Sequence, residues 1–308
     1  MKRLFLILLA TIGLVCINPE EAKAQQDAQY TQYMYNMNIL NPAYVGSKKG
    51  TLSISLLGRT QWAGVPGAPQ TATLSVHSPI TKRMGLGVSV YADKIGPINE
   101  QYIFADYSYT IPVGYYDNLS FGIKAGISII DALLIDLQTN NPDINFQENL
   151  ANAKPNFGFG VFYYSDLYYV GLSVPNLLKT TYLEKSGGLI TDISKKSHMF
   201  LTAGYVFDLT YAWRFKPSIM AKGTLGAPLS MDFSANFLYD ETYEVGASYR
   251  WDDSVSVMIG ARVTDNLRIG YAYDFTLTEL SKFSSGSHEL IILFDLLTTY
   301  DIISPRFF

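Results

Sequence analysis

From about Gly50 to Phe294, apolar and polar positions alternate in one short segment after another. Leu52, Ile54, Leu56 and Trp62 alternate with Ser53, Ser55, Arg59 and Gln61. Further on, Leu119, Phe121, Ile123, Ala125, Ile127 and Ile129 alternate with Ser120, Gly122, Lys124, Gly126 and Ser128. A period of two puts the two sets on opposite faces of a β-strand. The intervening residues are too small and too polar to form the second layer of a sandwich core. Apolar outside and polar inside is the pattern of a closed barrel whose solvent is lipid. The alternation predicts strands near 50–62, 69–78, 84–93, 100–112, 118–130, 155–164, 168–174, 198–208, 213–222, 229–238, 243–251, 254–263, 266–274 and 286–295. The expected fold class is therefore all-β: a transmembrane antiparallel β-barrel of about 14 strands, an even number as such barrels require.

The connections alternate in length. If the first strand rises from the periplasm, the outer connections fall at about 63–68, 94–99, 131–154, 175–197, 223–228, 252–253 and 275–285. The inner ones, around 79–83, 113–117, 165–167, 209–212, 239–242 and 264–265, are all short. Long loops outside and tight turns inside is the expected asymmetry, and it puts both termini in the periplasm. Asp117-Asn118, Asp252-Asp253 and Asp265-Asn266 supply turn chemistry. Trp62, Tyr91, Tyr102, Tyr163, Tyr168, Tyr211, Trp213, Tyr243, Trp251 and Tyr273 fall near strand ends, where aromatic girdles would meet the two water interfaces.

Composition agrees with a membrane protein: 14% of the residues are aromatic and 16% charged, the latter well below the roughly one quarter usual in soluble domains. After residue 24 no apolar stretch reaches transmembrane-helix length. With 23 basic and 27 acidic residues, the charge balance gives no reason to expect nucleic acid as a partner. Lys2 and Arg3, the apolar run Leu4 to Ile17 and Ala22-Lys23-Ala24 read as a signal peptide cleaved after Ala24. An uncleaved anchor is disfavoured because that run is shorter than the roughly 18 to 20 residues needed to span a bilayer. Cleavage also removes Cys16, leaving the mature chain without a thiol. The expected organisation is a signal peptide over 1–24, a periplasmic or lumen-plugging segment over 25–49, the barrel over 50–295 and a periplasmic tail over 296–308.

Strand parity sends the charges inward. Arg59, Lys124, Asp232, Glu244, Arg250, Arg262, Arg268, Asp274 and Glu289 all lie opposite the large apolar residues of their own strands. Facing lipid at the midplane, each Arg or Lys would cost roughly 2 to 4 kcal/mol. Two readings of the nine are open: a polar conduit, or a mesh of mutually neutralising side chains that fills and stiffens the barrel. Catalysis has little support. The His residues are His77, His198 and His288, and the His288-Glu289 neighbours point to opposite faces of one strand, so they do not converge as catalytic groups must. Asp136, Asp143 and Glu148 read as a solvated acidic loop before a calcium site. No cofactor is expected, and the chain does not read as an enzyme.

Two regions escape the alternation. Asp27 to Gly50 is rich in Tyr, Asn and Met and contains Asn41-Pro42-Ala43-Tyr44-Val45-Gly46, and the chain ends Ile303-Ser304-Pro305-Arg306-Phe307-Phe308. Together with Gly270-Tyr271-Ala272-Tyr273-Asp274 and Gly286-Ser287-His288-Glu289, these segments resemble the PorP/SprF family of type IX secretion and gliding proteins of Bacteroidetes, over the whole mature chain. The family often ends in Tyr-Phe; Phe307 keeps the ring and loses the hydroxyl. Ser285 to Phe294 also looks like a last strand recognised during barrel assembly, so part of its motif character fits biogenesis.

The resemblance implies an outer-membrane barrel, embedded in outer-membrane lipid, that works with periplasmic ring proteins of the type IX machinery and serves a secreted adhesin-like protein at the surface. Asn41, Pro42, Tyr44, Ser304, Pro305, Arg306, Phe307 and Phe308 are then the candidate periplasmic contacts, with Arg306 beside Phe307 and Phe308 in the manner of a binding hot spot. The alternative for the two terminal segments is that the first plugs the lumen and the second packs under the barrel. The alternative function is an outer-membrane channel for small molecules, hydrophobic ones included.

Overall fold

The computed structural model describes residues 28–132, 150–178, 180–181, 194–195, 197–224 and 228–297, together with Arg306. Its strands are β1 (Thr51–Thr60), β2 (Gln70–Pro79), β3 (Met84–Ile95), β4 (Ile98–Pro112), β5 (Asn118–Ala132), β6 (Leu150–Tyr164) and β7 (Tyr168–Val174). They continue as β8 (His198–Tyr205), β9 (Trp213–Thr224), β10 (Ser230–Tyr239), β11 (Tyr243–Arg250), β12 (Ser254–Arg262), β13 (Leu267–Thr276) and β14 (Ser287–Leu297). Each strand pairs antiparallel with its neighbours in sequence, and β1 pairs with β14 from Thr51↔Leu297 to Thr60↔His288, which closes the sheet. Phe207–Asp208 extends β8 beyond Val206 and pairs with Phe215 and Arg214 of β9, so the barrel has 14 strands. A small ribbon, Thr180–Thr181 with Ser194–Lys195, stands in the β7–β8 connection.

Parity holds along the wall. Leu56, Leu74, Val88, Ile103, Ile123, Val257 and Leu290 are exposed on the outer surface, whereas Ser53, Ser55, Ser75, Ser89, Ser120 and Ser128 are buried on the inner one. An apolar band this continuous suits lipid and would be costly in water. Connections 80–83, 113–117, 165–167, 240–242 and 263–266 cluster at one end of the barrel; at the other stand the β13–β14 connection and the strand ends that lead into the long β5–β6 and β7–β8 connections. The β3–β4 connection differs from the loop expected over 94–99. Lys94↔Asn99 and Ile95↔Ile98 are paired, and Gly96, at φ 56°, turns the chain in a tight hairpin with Pro97. Gly supplies that left-handed backbone at no steric cost.

Residues 28–50 run through the lumen. A 3₁₀ turn (Tyr33–Tyr35), a single α-helical turn (Met37–Leu40) and a second 3₁₀ turn (Pro42–Tyr44) lead into β1. They complete an apolar core inside a polar wall, with Tyr33, Met34, Met37, Ile39 and Leu40 packing among Tyr102, Phe104, Phe162, Phe200, Met258 and Ile291. Two expected girdle residues belong here. Tyr91 and Tyr102 share parity with Ser89 and Phe104, are 8% and 1% exposed, and stack on each other inside the barrel at 4.2 Å. The segment also has a direction. Gln29 accepts from Arg250, beside the 251–253 connection at the long-connection end, whereas Lys48 bonds Asp295 near the end of β14. Ala28 and Leu297 therefore stand at opposite ends of the barrel; the termini themselves lie outside the described residues.

The wall accommodates this segment through missing side chains. A β-carbon at Gly122 would collide with the backbone of Pro42 and Ala43, and one at Gly160 with the side chain of Asn41. At Gly85 it would stand 2.6 Å from the Val45 carbonyl oxygen, and at Gly270 2.5 Å from Gln32 Oε1. Gly58, on the lipid face, has open space around it. We expect Gly122→Val to destabilise the barrel by about 1 to 3 kcal/mol, the usual cost of overpacking, and Gly58→Ala to leave it unchanged. The heat-modifiable mobility of the detergent-purified barrel on gels reads both. Equal midpoints would mean that residues 42–43 do not lie against β5.

Candidate functional site in the lumen

The start of the lumen segment is held by three charged residues from adjacent strands. Arg59 of β1 faces Glu289 of β14 in register, and Asp274 lies on β13 beyond it. Arg59 Nη2 donates to Asp274 Oδ2 at 2.7 Å, and Nη1 to Glu289 Oε2 at 3.2 Å and to Thr31 Oγ1 at 3.0 Å. Thr31 N donates to Glu289 Oε2 at 2.9 Å, Gln32 N to Oε1 at 2.7 Å, and the Thr31 hydroxyl to Asp274 Oδ1 at 2.8 Å. All three charged side chains are at most 2% exposed. Buried ions are tolerated when their remaining hydrogen-bonding capacity is filled, and here backbone N–H groups of the lumen segment fill it.

The other lumen charges have nearer partners of their own. Arg250 Nε donates to Asp232 at 2.7 Å, while its Nη1 reaches Gln29 and Asp253. Lys124 pairs with Asp106 at 2.7 Å, donates to Ser89 Oγ at 2.8 Å, and lies 5.0 Å from the Phe104 ring centre. Glu244 accepts from the Tyr35 hydroxyl and from Asn236 Nδ2. Arg262 and Arg268 are register partners across β12–β13 at the short-connection end, where both are half-buried. Asp106 was missed in the sequence, although it shares parity with Tyr102 and Phe104.

Farther along, Asn41 caps the second 3₁₀ turn. Its Oδ1 accepts from Ala43 N at 2.9 Å and its Nδ2 donates to the Val161 carbonyl at 3.1 Å. Tyr44 meets His77 and Phe162 edge-on at 5.4 and 5.5 Å. Arg306, reaching back from beyond β14, is 5% exposed. Its Nη1 donates to the Ser165 carbonyl at 2.7 Å, its Nη2 to the Ser47 carbonyl at 3.3 Å, and its guanidinium lies 4.3 Å from the Tyr164 ring centre. Asn41, Pro42, Tyr44 and Arg306 thus meet at the short-connection mouth as internal packing and offer little surface to a partner. Ser304, Pro305, Phe307 and Phe308 lie outside the described residues, as do 1–27, Asp136, Asp143 and Glu148.

Of the motif residues, Gly270, Asp274 and Glu289 face this segment, while Tyr271 and His288 bond each other at 2.6 Å on the outer surface. Among the described residues no group of three or more His, Cys, Asp or Glu side chains converges as a metal site. The arrangement holds a segment in place. Replacing Arg59 by Leu would leave two buried carboxylates beside each other. We expect a loss of roughly 3 to 5 kcal/mol, the cost of breaking a buried pair, with partial recovery in Arg59→Leu/Glu289→Leu. Arg262→Leu, half-buried at the rim, should change the unfolding midpoint little, and all three are read in one denaturation series.

No curated protein sequence matches this chain. Among solved structures, the toluene transporter TbuX of Ralstonia pickettii superposes with a TM-score of 0.52 at 9% identity, over 83% of this chain and 91% of that one. A FadL homologue of Pseudomonas aeruginosa gives 0.48 at 11% identity, over 90% and 96%. At such identities the likeness is one of fold, that of outer-membrane channel barrels. The family model described as type IX secretion system membrane protein PorP/SprF matches residues 22–294, from ahead of the lumen segment into β14. The chain belongs to the PorP/SprF family of type IX secretion system membrane proteins.

Proposed function

We propose that this protein is a non-enzymatic outer-membrane platform of the type IX secretion and gliding machinery, supporting secretion or surface attachment of a partner protein. The observation that carries the reading is the lumen filled by residues 28–50, whose backbone lies against Gly85 and Gly122 and whose Asn41 side chain lies against Gly160, with no room for a β-carbon. A barrel so filled acts through its rims. In this reading the β5–β6 and β7–β8 connections face outward and meet a secreted adhesin-like protein. The short-connection end faces the periplasm and the ring proteins. The buried Arg306, with Asn41, Pro42 and Tyr44, narrows that end. Contact with the ring then falls to exposed residues around it, such as Tyr115, Tyr116 and Tyr211, and to the chain beyond β14.

A second reading, a channel for small or hydrophobic molecules, has one observation in its favour. A recess of about 450 Å³ at the long-connection end lies beside Arg59, Thr71, Asp93, Glu100 and Asp131. Its lining is polar, which suits hydrophobic cargo poorly.

Deleting 302–308 should leave barrel insertion intact and abolish co-purification with the periplasmic ring. Unchanged co-purification would remove the tail from the interface. In planar bilayers the full-length chain should conduct negligibly, and deletion of 25–48 should raise conductance sharply. A steady pore from the intact chain, with no protein partner recovered, would favour the channel.

A further inference from the structure

The lumen segment leaves a partly open cavity against the wall. The cavity, of about 60 Å³, lies near the short-connection mouth, with room for about four waters at roughly 15 Å³ each, or one oxoanion. Its charged lining is unequal: Lys48, Lys216, Arg268 and Arg306 border it, against the single carboxylate of Asp295. Asp295 is engaged, accepting from Lys48 and, at 2.7 Å, from the Ser53 hydroxyl. Glu244, close by through Tyr35, brings a second carboxylate and leaves the basic excess standing. Lys216 is 2% exposed and lies 4.9 Å from the Tyr35 ring centre.

A second, independent observation concerns buried polar atoms. Asn38 and His77 line the same cavity at 1% and 6% exposure. Both amide atoms of Asn38, and His77 Nδ1, have no hydrogen-bond partner within the protein. Leaving buried polar atoms this way is costly, so an occupant is favoured that accepts from Asn38 Nδ2, and from His77 Nδ1 where that nitrogen carries the proton, and that offers a proton to Asn38 Oδ1. A concentration of positive charge in a largely desolvated space favours one that is also negative.

We propose that this cavity binds a small oxoanion, a phosphate or carboxylate group, entering from the short-connection mouth. Lys216 and Arg268 supply charge, and Asn38 and His77 supply directional hydrogen bonds. Such an anion comes either free in solution or as the terminal carboxylate of a peptide. The site does not depend on the platform reading, since a solute channel would carry the same residues.

The test uses the full chain in detergent. Its unfolding midpoint is followed against sodium phosphate, with sodium chloride at matched ionic strength as reference. A tripeptide with a free C-terminus is compared with its amide. Phosphate should raise the midpoint saturably, by several degrees, where chloride does not. A response to the free-acid peptide beyond that to its amide would identify a chain terminus as a second source of the anion. Lys216→Met should weaken the response at least tenfold, whereas Arg214→Met, on the exposed rim beside Asp208 and Glu241, should keep it. Should Lys216→Met fail to fold, Arg268→Gln, half-buried at the rim, serves in its place. Two outcomes overturn the proposal. One is no response to phosphate or to the free-acid peptide beyond the chloride and amide references, which leaves a cavity that holds only water. The other is an equal response in the cavity and rim variants, which puts the anion elsewhere.

Discussion

The interior depends on how closely a non-regular segment approaches a β-sheet. At Gly122 the wall yields the volume of a side chain to the backbone of Pro42 and Ala43, and at Gly160 to the side chain of Asn41. Neither surface is complete alone: the wall is polar and too small-featured to form a core, and the segment is too short to fold by itself. Joined, they build an apolar core in a place where a barrel of this size would otherwise hold water. The lipid-facing band outside and the ion pairs within are both arranged around that fit.

The ion pairs also fix strand register. Arg59↔Glu289, Asp106↔Lys124 and Asp232↔Arg250 are each directly opposed across neighbouring strands. Slipping any of these pairings by one residue would turn a charge toward lipid, and slipping by two would separate the partners. Buried pairs of this kind are weak evidence for net stability. Their value here is in rejecting wrong alignments among strands that otherwise look alike, and the pair spanning β1 and β14 does so at the seam that closes the barrel.

Much of this was legible in the alternation. Every expected strand appears, because a lipid-facing wall enforces a strict period of two. Tyr91 and Tyr102 were misread because closeness to a strand end was weighed above parity, and parity with Ser89 and Phe104 gives the observed side. Asp106 escaped although its parity with Tyr102 and Phe104 puts it inside. The lumen segment was legible as an exception and no further: three single turns have no period, and their conformation follows from the wall around them. Arg306 looked like an exposed anchor because its neighbours in sequence are aromatic, whereas in space it lies against Tyr164 and Ser47. The glycines of the inner face were noted as small, and the reason for their smallness lies in a different part of the chain.

The lumen segment passes through Lys49 and Gly50 directly into β1, so it is an intramolecular ligand of its own barrel. A tether of a few residues keeps such a ligand at an effective concentration on the order of millimolar. Any opening of the lumen is then a local unfolding that reverses at a rate independent of protein concentration. It persists only while something else holds the freed strand of Tyr, Asn and Met. A barrel built this way resets itself, and whatever acts on it must bind and wait.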